Sequence, residues 1–564
     1  MFLKKIWKNN LNILLPLFVV MFIYISLEIG VAMFFGYVID SASGAINMQF
    51  SKVMIYTFAL LITESVFKWI YEVMSYKFVA KMSLDTKIYI FNNLIKQDIE
   101  SFYNNDVGDK ISILTNDINT IETEYFRTFL NLVKSGFLFV FAFGTIFYVS
   151  YQMTIALMIL SIISFVFGNI PMKNLKTFKE KFSNSQSEYT ARTSEYFNGY
   201  ETIKVFGLEK FISKVFYNNS KNVYDKGLAY QKRYSLVTMI SYFFGGFTFL
   251  GGFVCGGYLA YKGFITLGQM IVCVQLTNHI VNPLMFAIES YGKFKSVDKI
   301  LNKIENTLIS EENVETTEIK DFNNKISLVD VSFKYDDKKV LENISFDFEK
   351  GKKYALVGLS GSGKSTLMKL ISKRIKANEG KIFIDGTDLD EISRNSIINL
   401  ISTINQNVFL FKGSIYDNIT LFSKDYSEEK VKDVILKAEL GKYLDRLYDK
   451  ELISENANNL SGGEKQRISI ARSLIKDTKI ILADEILSSL DNEIAFSIEK
   501  GLLELENITL ISVTHRLIKE NLKKYNKILV LKDGKLEETG NFEELMNFDS
   551  YFKKLYTISE VENN

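Results

Sequence analysis

The chain has 564 residues, and its 67 Lys and Arg against 65 Asp and Glu leave a formal net charge of +2, which argues against a nucleic-acid binder relying on a basic excess. Hydrophobic residues make up 47% of the chain and charged residues 23%, a mixture that excludes low-complexity disorder and suggests an apolar half joined to a soluble half. With two cysteines and two histidines, neither a disulfide framework nor a Cys/His zinc cluster is expected.

Apolar segments long enough to span a membrane dominate the first 300 residues. A spanning helix needs about 20 mostly apolar residues. Six segments meet that length, and they cover residues 11–39, 53–76, 129–150, 153–172, 236–260 and 267–287. The first exceeds the roughly 7 to 15 residues of a signal-peptide core. The sequence therefore predicts an α-helical transmembrane domain with six spans over residues 1–300.

The lysines at the amino terminus orient these spans. Lys4, Lys5 and Lys8 precede the first segment, and the positive-inside rule places them in the cytoplasm. The connections on the same side, residues 77–127 and 173–233, are rich in lysine and helical in pattern. We therefore expect a multi-pass protein of a bacterial cytoplasmic membrane, whose second to fifth helices extend well into the cytoplasm.

Several polar residues interrupt the apolar segments. Such groups are costly at membrane depth unless they face a cavity or each other. They are Glu28, Glu64, Asn278, His279, Asn282 and Glu289. They either line a cavity for a cationic or amphipathic molecule or form hydrogen bonds between helices. The sequence leaves both interpretations open, and the substrate is a small molecule, a lipid or a peptide.

A change of pattern marks the second half. Residues 301–324 are charged and lack a long apolar run, which predicts a linker. Residues 325–564 alternate short β-rich runs with helices, which predicts an α/β domain. Within it, residues 358–366 read GLSGSGKST between a strand and an apolar helix, the context of a phosphate-binding loop. Its backbone N–H groups surround phosphates, Lys364 supplies a cation, and the Ser365 hydroxyl can bind Mg²⁺.

Two carboxylates follow a second apolar strand. Asp484 and Glu485 come directly after residues 479–483. A carboxylate at the carboxyl end of a parallel strand can reach a bound metal ion, and the next one can orient or deprotonate water. We therefore predict that Asp484 holds Mg²⁺ and that Glu485 is the general base.

Residues 460–467 read LSGGEKQR and precede a helix. Ser461 and the glycines at this helix start form a second anion site. Together with the phosphate-binding loop, this stretch resembles the signature motif of ATP-binding cassette (ABC) transporters. Residues 101–103 and 199–207 also resemble intracellular segments of six-helix exporters. The resemblance covers nearly the whole chain and indicates an exporter-type half-transporter.

The resemblance implies an α/β P-loop cassette with bound ATP and Mg²⁺. The implied ATP contacts are Tyr335, Gly358, Ser360, Gly361, Ser362, Gly363, Lys364, Ser365, Thr366 and Gln406. Tyr335 stacks on adenine, and Gln406 contacts Mg²⁺ together with Ser365 and Asp484. The implied catalytic residues are Glu485 and His515, which contacts the γ-phosphate. The groups that close over the ATP of a second subunit are Ser461, Gly462, Gly463, Glu464 and Asp491.

The implied function is ATP-driven export of a hydrophobic or amphipathic substrate by alternating access, performed by a dimer. Because this chain carries both the catalytic glutamate and an intact signature, a homodimer is favoured over pairing with a related half-transporter. An ATP-gated channel or sensor would share the same architecture. A soluble ABC ATPase of DNA repair or translation would lack the six spans.

Overall fold

The computed structural model describes residues 2–103, 106–169, 175–308, 317–335, 338–454, 457–486, 491–547 and 549–563. The chain forms two compact units. The helical unit comprises Met1–Lys96 and Asn105–Ile309, and the α/β unit comprises Gln97–Asn104 and Ser310–Asn564. The short segment Gln97–Asn104 therefore clusters with the second unit.

Helices account for most of the first 308 residues. They are α1 (Phe2–Asn9), α2 (Leu11–Ala42), α3 (Phe50–Lys96), α4 (Ile99–Tyr103), α5 (Val107–Ser112), α6 (Ile118–Ile121), α7 (Thr128–Val149), α8 (Tyr151–Asn169), α9 (Leu175–Asn198), α10 (Tyr200–Val205), α11 (Glu209–Tyr261), α12 (Leu267–Leu276) and α13 (Asn278–Leu308). The π-helical turns Ile113–Asp117 and Glu122–Arg127 connect α5, α6 and α7. Of these helices, α4 belongs to the α/β unit.

Apart from Ser150 and Thr277, the described residues of the six predicted membrane segments lie in helices, and residues 170–172 of the fourth segment lie outside the described residues. Four helical segments of the described chain are long and apolar enough to cross a membrane: Leu11–Ala42, Phe50–Lys96, Val107–Val149 and Glu209–Tyr261. A shorter apolar stretch, Tyr151–Ser164, lies in α8. Because α3 and α11 contain 47 and 53 residues, at 1.5 Å per residue they are about 70 and 80 Å long, more than twice a hydrocarbon core of about 30 Å. Both helices are therefore longer than a membrane span, whereas the cytoplasmic position of their extensions stays a prediction.

The sixth predicted segment, residues 267–287, differs from a single continuous helix. It is divided at Thr277 into α12 and α13. The Thr277 N–H bonds to the Val274 carbonyl at 3.2 Å, a three-residue step that tightens the chain locally. Pro283, in the second turn of α13, has no N–H to bond to residue 279. Hydrophobicity alone predicts no break here, because both halves are apolar.

Two glycines allow α2 and α12 to cross in backbone contact. A Cβ atom on Gly268 would lie 2.1 Å from the Gly36 carbonyl oxygen. Beside this crossing, the buried Asp40 carboxylate accepts hydrogen bonds from the Thr266 hydroxyl at 2.6 Å and the Gly268 N–H at 2.8 Å. These bonds satisfy donors at the start of α12. The crossing therefore attaches α2 to the region that continues into α13.

The predicted linker, residues 301–324, is partly structured. Its first part continues α13, where Ile304 and Leu308 repeat at helical spacing and Ile304 is fully buried in the helical unit. Near its end, Phe322 is fully buried in the core of the α/β unit. Residues 309–316 lie outside the described residues. The prediction was wrong at both ends because burial of single apolar side chains, rather than a long apolar run, orders these parts.

The α/β unit contains two sheets. Their strands are β1 (Lys325–Tyr335), β2 (Lys338–Glu349), β3 (Lys353–Val357), β4 (Glu379–Ile384), β5 (Thr387–Asp388), β6 (Ile401–Ile404), β7 (Ile480–Asp484), β8 (Thr509–Val513), β9 (Lys527–Lys532) and β10 (Lys535–Gly540). The antiparallel sheet has the order β2-β1-β4-β5. The larger sheet has the order β10-β9-β3-β8-β7-β6, in which only the β10–β9 pair is antiparallel. The predicted α/β class is confirmed.

Helices and apolar side chains bury the larger sheet. The helices are α14 (Lys364–Ile371), α15 (Arg394–Leu400), α16 (Ile415–Thr420), α17 (Glu428–Lys437), α18 (Gly462–Leu474), α19 (Asn492–Leu503), α20 (Lys519–Leu522), α21 (Phe542–Asn547) and α22 (Tyr551–Asn563). Every residue of β3 and β8 is buried, as expected for parallel strands with both faces covered. Because the residues within these strands are buried, functional side chains can reach a ligand only where the strands end.

Candidate active site

The carboxyl ends of four parallel strands gather the predicted site. The strands β3, β8, β7 and β6 are neighbours in the larger sheet. The glycine loop follows β3, His515 follows β8, Asp484 and Glu485 stand at the end of β7, and Gln406 follows β6. Ligands of such sheets bind at this edge. The topology therefore brings together motifs that lie far apart in the sequence.

The glycine loop needs glycine at two of its positions. Gly361 and Gly363 have φ angles of 82° and 101°, which favour glycine. A Cβ atom on Gly363 would lie 2.5 Å from Leu341 Cδ2 and 2.9 Å from the Val340 carbonyl oxygen. Gly363 caps α14, whose first N–H groups point into the loop. The loop therefore offers backbone donors to an anion at a helix start.

Two side chains of this loop are arranged for a ligand. Lys364 is 4% exposed, and its Nζ donates to the carbonyl oxygens of Gly358 and Leu359 at 2.9 Å each. Burial lowers the pKa of Lys364, while Glu485 and Asp484 oppose that shift. Ser362 Oγ is buried and has no hydrogen-bond partner within the described part of the chain. A phosphate group would provide acceptors for both side chains.

The other predicted loop residues surround these two. Ser360 is exposed at the loop tip, whereas Thr366 is buried on α14. Tyr335, 44% exposed, stands at the end of β1 with its ring edge-on to Phe333 at a centroid distance of 4.8 Å. Its register partner Lys338 begins β2, the strand whose Leu341 touches the glycine loop. An exposed aromatic face near that loop is available for stacking.

A hydroxyl and a carboxylate meet beside the loop. The Ser365 hydroxyl donates to Asp484 Oδ1 at 3.1 Å. Burial raises the pKa of Asp484, with the nearby Glu485 adding to the shift and Ser365 and the lysines opposing it. A bound cation would offset the cost of this buried charge. Because Mg²⁺ prefers hard oxygen ligands and usually binds one or two carboxylates together with substrate phosphates, the pair fits the predicted Mg²⁺ site.

Glu485 connects two of the predicted motifs. His515 Nε2 lies 2.6 Å from Glu485 Oε1, and Gln406 Nε2 donates to Glu485 Oε2 at 2.6 Å. Glu485 itself has a φ of 50°, a left-handed conformation that is uncommon for a residue with a side chain. The backbone turn after β7 thus directs this carboxylate towards the ends of β8 and β6. The structure brings Glu485, His515 and Gln406 into contact with one another.

The signature residues occupy a separate helix start. Ser461 caps α18, and its hydroxyl accepts from the Glu464 N–H at 3.2 Å while Glu464 Oε2 accepts from the Ser461 N–H at 2.8 Å. Glu464 Oε1 also accepts from Lys442 and Tyr443 at 2.5 Å each. These bonds outweigh burial and lower the pKa of Glu464 to about 2. Glu464 is therefore a structural cap that holds the signature in place.

Exposure distinguishes the signature from the glycine loop. Ser461 and Gly462 are exposed, and Gly463 is half-buried. Asp491 is exposed at the cap of α19. Residues 488–490, which directly precede Asp491, lie outside the described residues. The helix start at Ser461 is thus open to solvent, unlike the buried glycine-loop residues Ser362 and Lys364.

The sequence analysis did not identify Glu499, a carboxylate that stabilises the segment after His515. Glu499 lies on α19 and is 3% exposed. Its oxygens accept from Asn521 Nδ2 at 2.7 Å and from the Tyr525 hydroxyl at 2.9 Å. Burial raises the pKa of Glu499, partly opposed by these bonds. A charged residue among the buried positions Ile498 and Leu502 is the signal that would have revealed it.

We expect Glu499→Ala to lower the kcat of ATP hydrolysis about tenfold with KM within twofold, because loss of the acceptor leaves two buried donors unpaired at a cost of about 1–3 kcal/mol each. Glu499 acts as a positioning residue: α20 and the His515 segment would shift relative to Glu485. Steady-state kinetics of the purified protein in lipid measure the effect.

The matched control for this prediction is Glu504→Gln. Glu504 follows the same helix and pairs with Lys524 at 2.8 Å, but it is exposed. Rescue by Glu499→Gln, which retains one acceptor, would support the positioning role. An equal loss of kcat in Glu504→Gln would contradict it.

Two family models match this chain. Residues 14–284 match the family model of the ABC transporter transmembrane region, and residues 341–488 match that of the ABC transporter. An ATP-dependent lipid A-core flippase of Desulfotalea psychrophila is 28% identical over 522 residues, which cover 89% of this chain and 88% of the relative. The uncharacterised ABC transporter ATP-binding protein YwjA of Bacillus subtilis is 28% identical over 511 residues, which cover 88% of each.

A solved structure has the same fold. The structure of a bacterial Atm1-family ABC exporter with ATP bound has a TM-score of 0.83 at 20% sequence identity. The match covers 97% of this chain and 99% of that chain. The likeness therefore extends over the helical unit and the α/β unit.

Proposed function

Because the chain belongs to the ABC transporter family, with the transmembrane region and the ATPase of that family in one polypeptide, we propose that it exports a hydrophobic or amphipathic substrate across the cytoplasmic membrane at the expense of ATP. The observation that carries the ATP-dependent part of this proposal is the contact of Glu485 with both His515 and Gln406, at 2.6 Å each. It lies at the sheet edge that also holds the glycine loop, in a chain with membrane-length helices.

In the proposed reaction, each residue has a defined task. The loop N–H groups bind the phosphates, and Lys364 Nζ exchanges its two carbonyl partners for phosphate oxygens. Glu485 accepts a proton from the attacking water, and His515 donates a hydrogen bond to the γ-phosphate. Mg²⁺, held by Ser365, Asp484 and Gln406, would neutralise charge on the phosphates. Gln406, bonded to Glu485, would report the state of the site to the membrane helices.

We propose that two copies of the chain form the working unit. The helix start at Ser461 is exposed, and in this proposal it binds phosphate and closes over the ATP held by the glycine loop of the partner. A homodimer is favoured because the same chain carries Glu485 and the capped signature. ATP binding would then join the two ATPase units and shift the membrane helices between inward-open and outward-open states. Pairing with a related half-transporter is the alternative.

The positive charge at the amino terminus supports one orientation of the protein in the membrane. Lys4, Lys5 and Lys8 favour a cytoplasmic amino terminus, and the ATPase would lie on the same side. Several relatives are named ATP-dependent lipid A-core flippases, which favours a lipid-like amphiphile among the possible cargoes. The protein would then be a multi-pass protein of the bacterial inner membrane.

The experiment is reconstitution of the single chain in proteoliposomes. ATPase activity is measured alone and with lipids, cationic drugs and peptides, and flux of any stimulating compound is then followed. ATP-dependent flux from the single chain would support a homodimeric exporter. Activity only after addition of a related half-transporter would support a heterodimer, and ion currents without substrate flux would favour a gated channel.

A further inference from the structure

The signature contains a carboxylate in the first turn of its own helix. Glu464 stands three residues after the cap Ser461, and its Oε2 accepts from the Ser461 N–H at 2.8 Å. In an isolated helix this position favours a carboxylate, which offsets the positive end of the helix dipole. At a helix start that binds phosphate the same charge is unfavourable, because two anions then share one positive end. The carboxylate therefore needs a compensating charge.

A short 3-10 helix supplies that charge. Lys442 and Tyr443 lie in the 3-10 helix Gly441–Arg446, and both donate to Glu464 Oε1 at 2.5 Å. The ammonium group of Lys442 also lies 4.9 Å from the centre of the Tyr443 ring, which is a cation–π distance. The bond to Glu464 raises the pKa of Lys442, so this side chain is charged at neutral pH. The three side chains together carry no net charge.

The lysine lies at the surface and the carboxylate lies beneath it. The side chain of Lys442 is 60% exposed, whereas that of Glu464 is 12% exposed. Salt ions screen exposed charges much more than shielded ones. If Lys442 lost its charge, the negative charge of Glu464 would therefore act on a phosphate at the helix start with little screening. Because Lys442 is exposed, its substitution opens no cavity in the core of the α/β unit.

The helix cap does not depend on the lysine. The Ser461 hydroxyl and Glu464 Oε2 complete the capping box within one helical turn. The Tyr443 hydroxyl holds the other carboxylate oxygen. Loss of the Lys442 ammonium group would therefore change the charge at the start of α18 more than its geometry.

We propose that Lys442 is a positioning residue for ATP hydrolysis, which neutralises Glu464 and thereby allows the signature to accept the phosphates of ATP bound to a second copy of the chain. Lys442 acts through Glu464 and does not touch the nucleotide. Tyr443 orients the carboxylate without changing its charge. This inference rests on the proposed function, because it requires that the signature binds phosphate in a dimer.

Steady-state ATP hydrolysis by the full-length protein in lipid nanodiscs tests the role of Lys442. Lys442→Met removes the charge and keeps an unbranched side chain. We expect the KM for ATP to rise about fivefold, equivalent to about 1 kcal/mol. We expect kcat to stay within about twofold of wild type, because the glycine loop and Glu485 are unchanged. Lys442→Arg restores a cation and should return KM to within about twofold of wild type.

A second substitution separates charge compensation from a direct contact with ATP. Glu464→Gln removes the negative charge, and its amide oxygen can still accept from the Ser461 N–H. Combined with Lys442→Met, it makes the pair neutral again and should return KM to within about twofold of wild type. A double variant that keeps the raised KM would overturn the proposal, because the lost interaction would then be one between Lys442 and the nucleotide.

Two further variants test whether the effect is specific to this charge. Tyr443→Phe removes a donor to Glu464 but no charge, and it should raise KM less than Lys442→Met does. Lys437→Met is the matched control, because Lys437 is an exposed lysine paired with Asp433 on α17, and it should keep the wild-type KM. An unchanged KM in Lys442→Met, or an equal rise in either of these two variants, would overturn the proposal.

Failure of this inference is distinguishable from failure of the proposed function. ATP hydrolysis by the wild-type chain, together with a wild-type KM in Lys442→Met, would reject the role of Lys442 alone. Absence of ATP hydrolysis by the wild-type chain, even with a related half-transporter added, would reject the proposed function and the role of Lys442 with it.

Discussion

Glu485→Gln is expected to lower steady-state ATP hydrolysis about a hundredfold or more, the usual contribution of a general base, while ATP binding stays within about twofold of wild type. The substituted amide cannot accept the proton from the attacking water, although it keeps the size of the side chain. Gln406 and His515 both contact this carboxylate at 2.6 Å. Loss of ATP hydrolysis with retained ATP binding would therefore show that Glu485 acts on the chemical step.

ATP hydrolysis and the affinity for ATP are measured on the same preparation in lipid. Glu506→Gln is the matched control, because it removes the same charge from an exposed residue just before β8, at the opposite end of that strand from His515. The control should hydrolyse ATP at the wild-type rate. Wild-type turnover by Glu485→Gln would reject this residue as the base, and a parallel loss of ATP affinity would indicate a binding role instead.

Mixing two inactive variants is expected to restore ATP hydrolysis. Lys364→Ala removes the cation of the glycine loop, and Ser461→Asp places a carboxylate at the signature anion site while keeping a residue that can cap α18. Each variant alone should lose about a hundredfold in activity, as expected when phosphate charge is no longer stabilised. In a mixed dimer, the intact loop of one chain meets the intact signature of the other, so one complete site forms.

Differently tagged chains allow the mixed dimers to be purified and their ATPase activity measured. Ser461→Asn is the neutral control, since asparagine also caps helices, and it should retain most of the activity. Wild type mixed with a chain carrying both Lys364→Ala and Ser461→Asp has no complete shared site and should stay inactive. No recovery in the first mixture, together with activity in the second, would show that each chain contains its whole site.

The motifs of the nucleotide site were readable from the sequence because short-range geometry produces them. The glycine loop needs a strand before it and a helix after it, and the positive φ of Gly361 and Gly363 follows from that turn. The signature needs a serine cap and Glu464 one turn later. Each of these two motifs lies within about ten residues of chain, so it can be recognised from its residue types.

Features that depend on particular hydrogen bonds and on packing could not be predicted from the sequence pattern. The break at Thr277 and the helical continuation to Leu308 differ from the predictions, because both depend on local hydrogen bonds and packing that hydrophobicity does not report. Glu499 was missed because its partners, Asn521 and Tyr525, approach only when α19 and α20 pack together. A buried carboxylate is recognisable as a positioning group only once its donors are known.

The sequence by itself determined the order of the two halves, the apolar helices and the residues that bind phosphate, because these depend on composition and local pattern. Only the tertiary structure decided that Glu485 contacts His515 and Gln406, since three parallel strands must align their ends for those side chains to meet. It likewise decided that α2 and α12, which lie far apart in sequence, cross in backbone contact, because Gly36 and Gly268 have no side chains to keep the backbones apart. Contacts between segments that are far apart in sequence arise from tertiary packing, which depends on the whole chain and not on a local pattern.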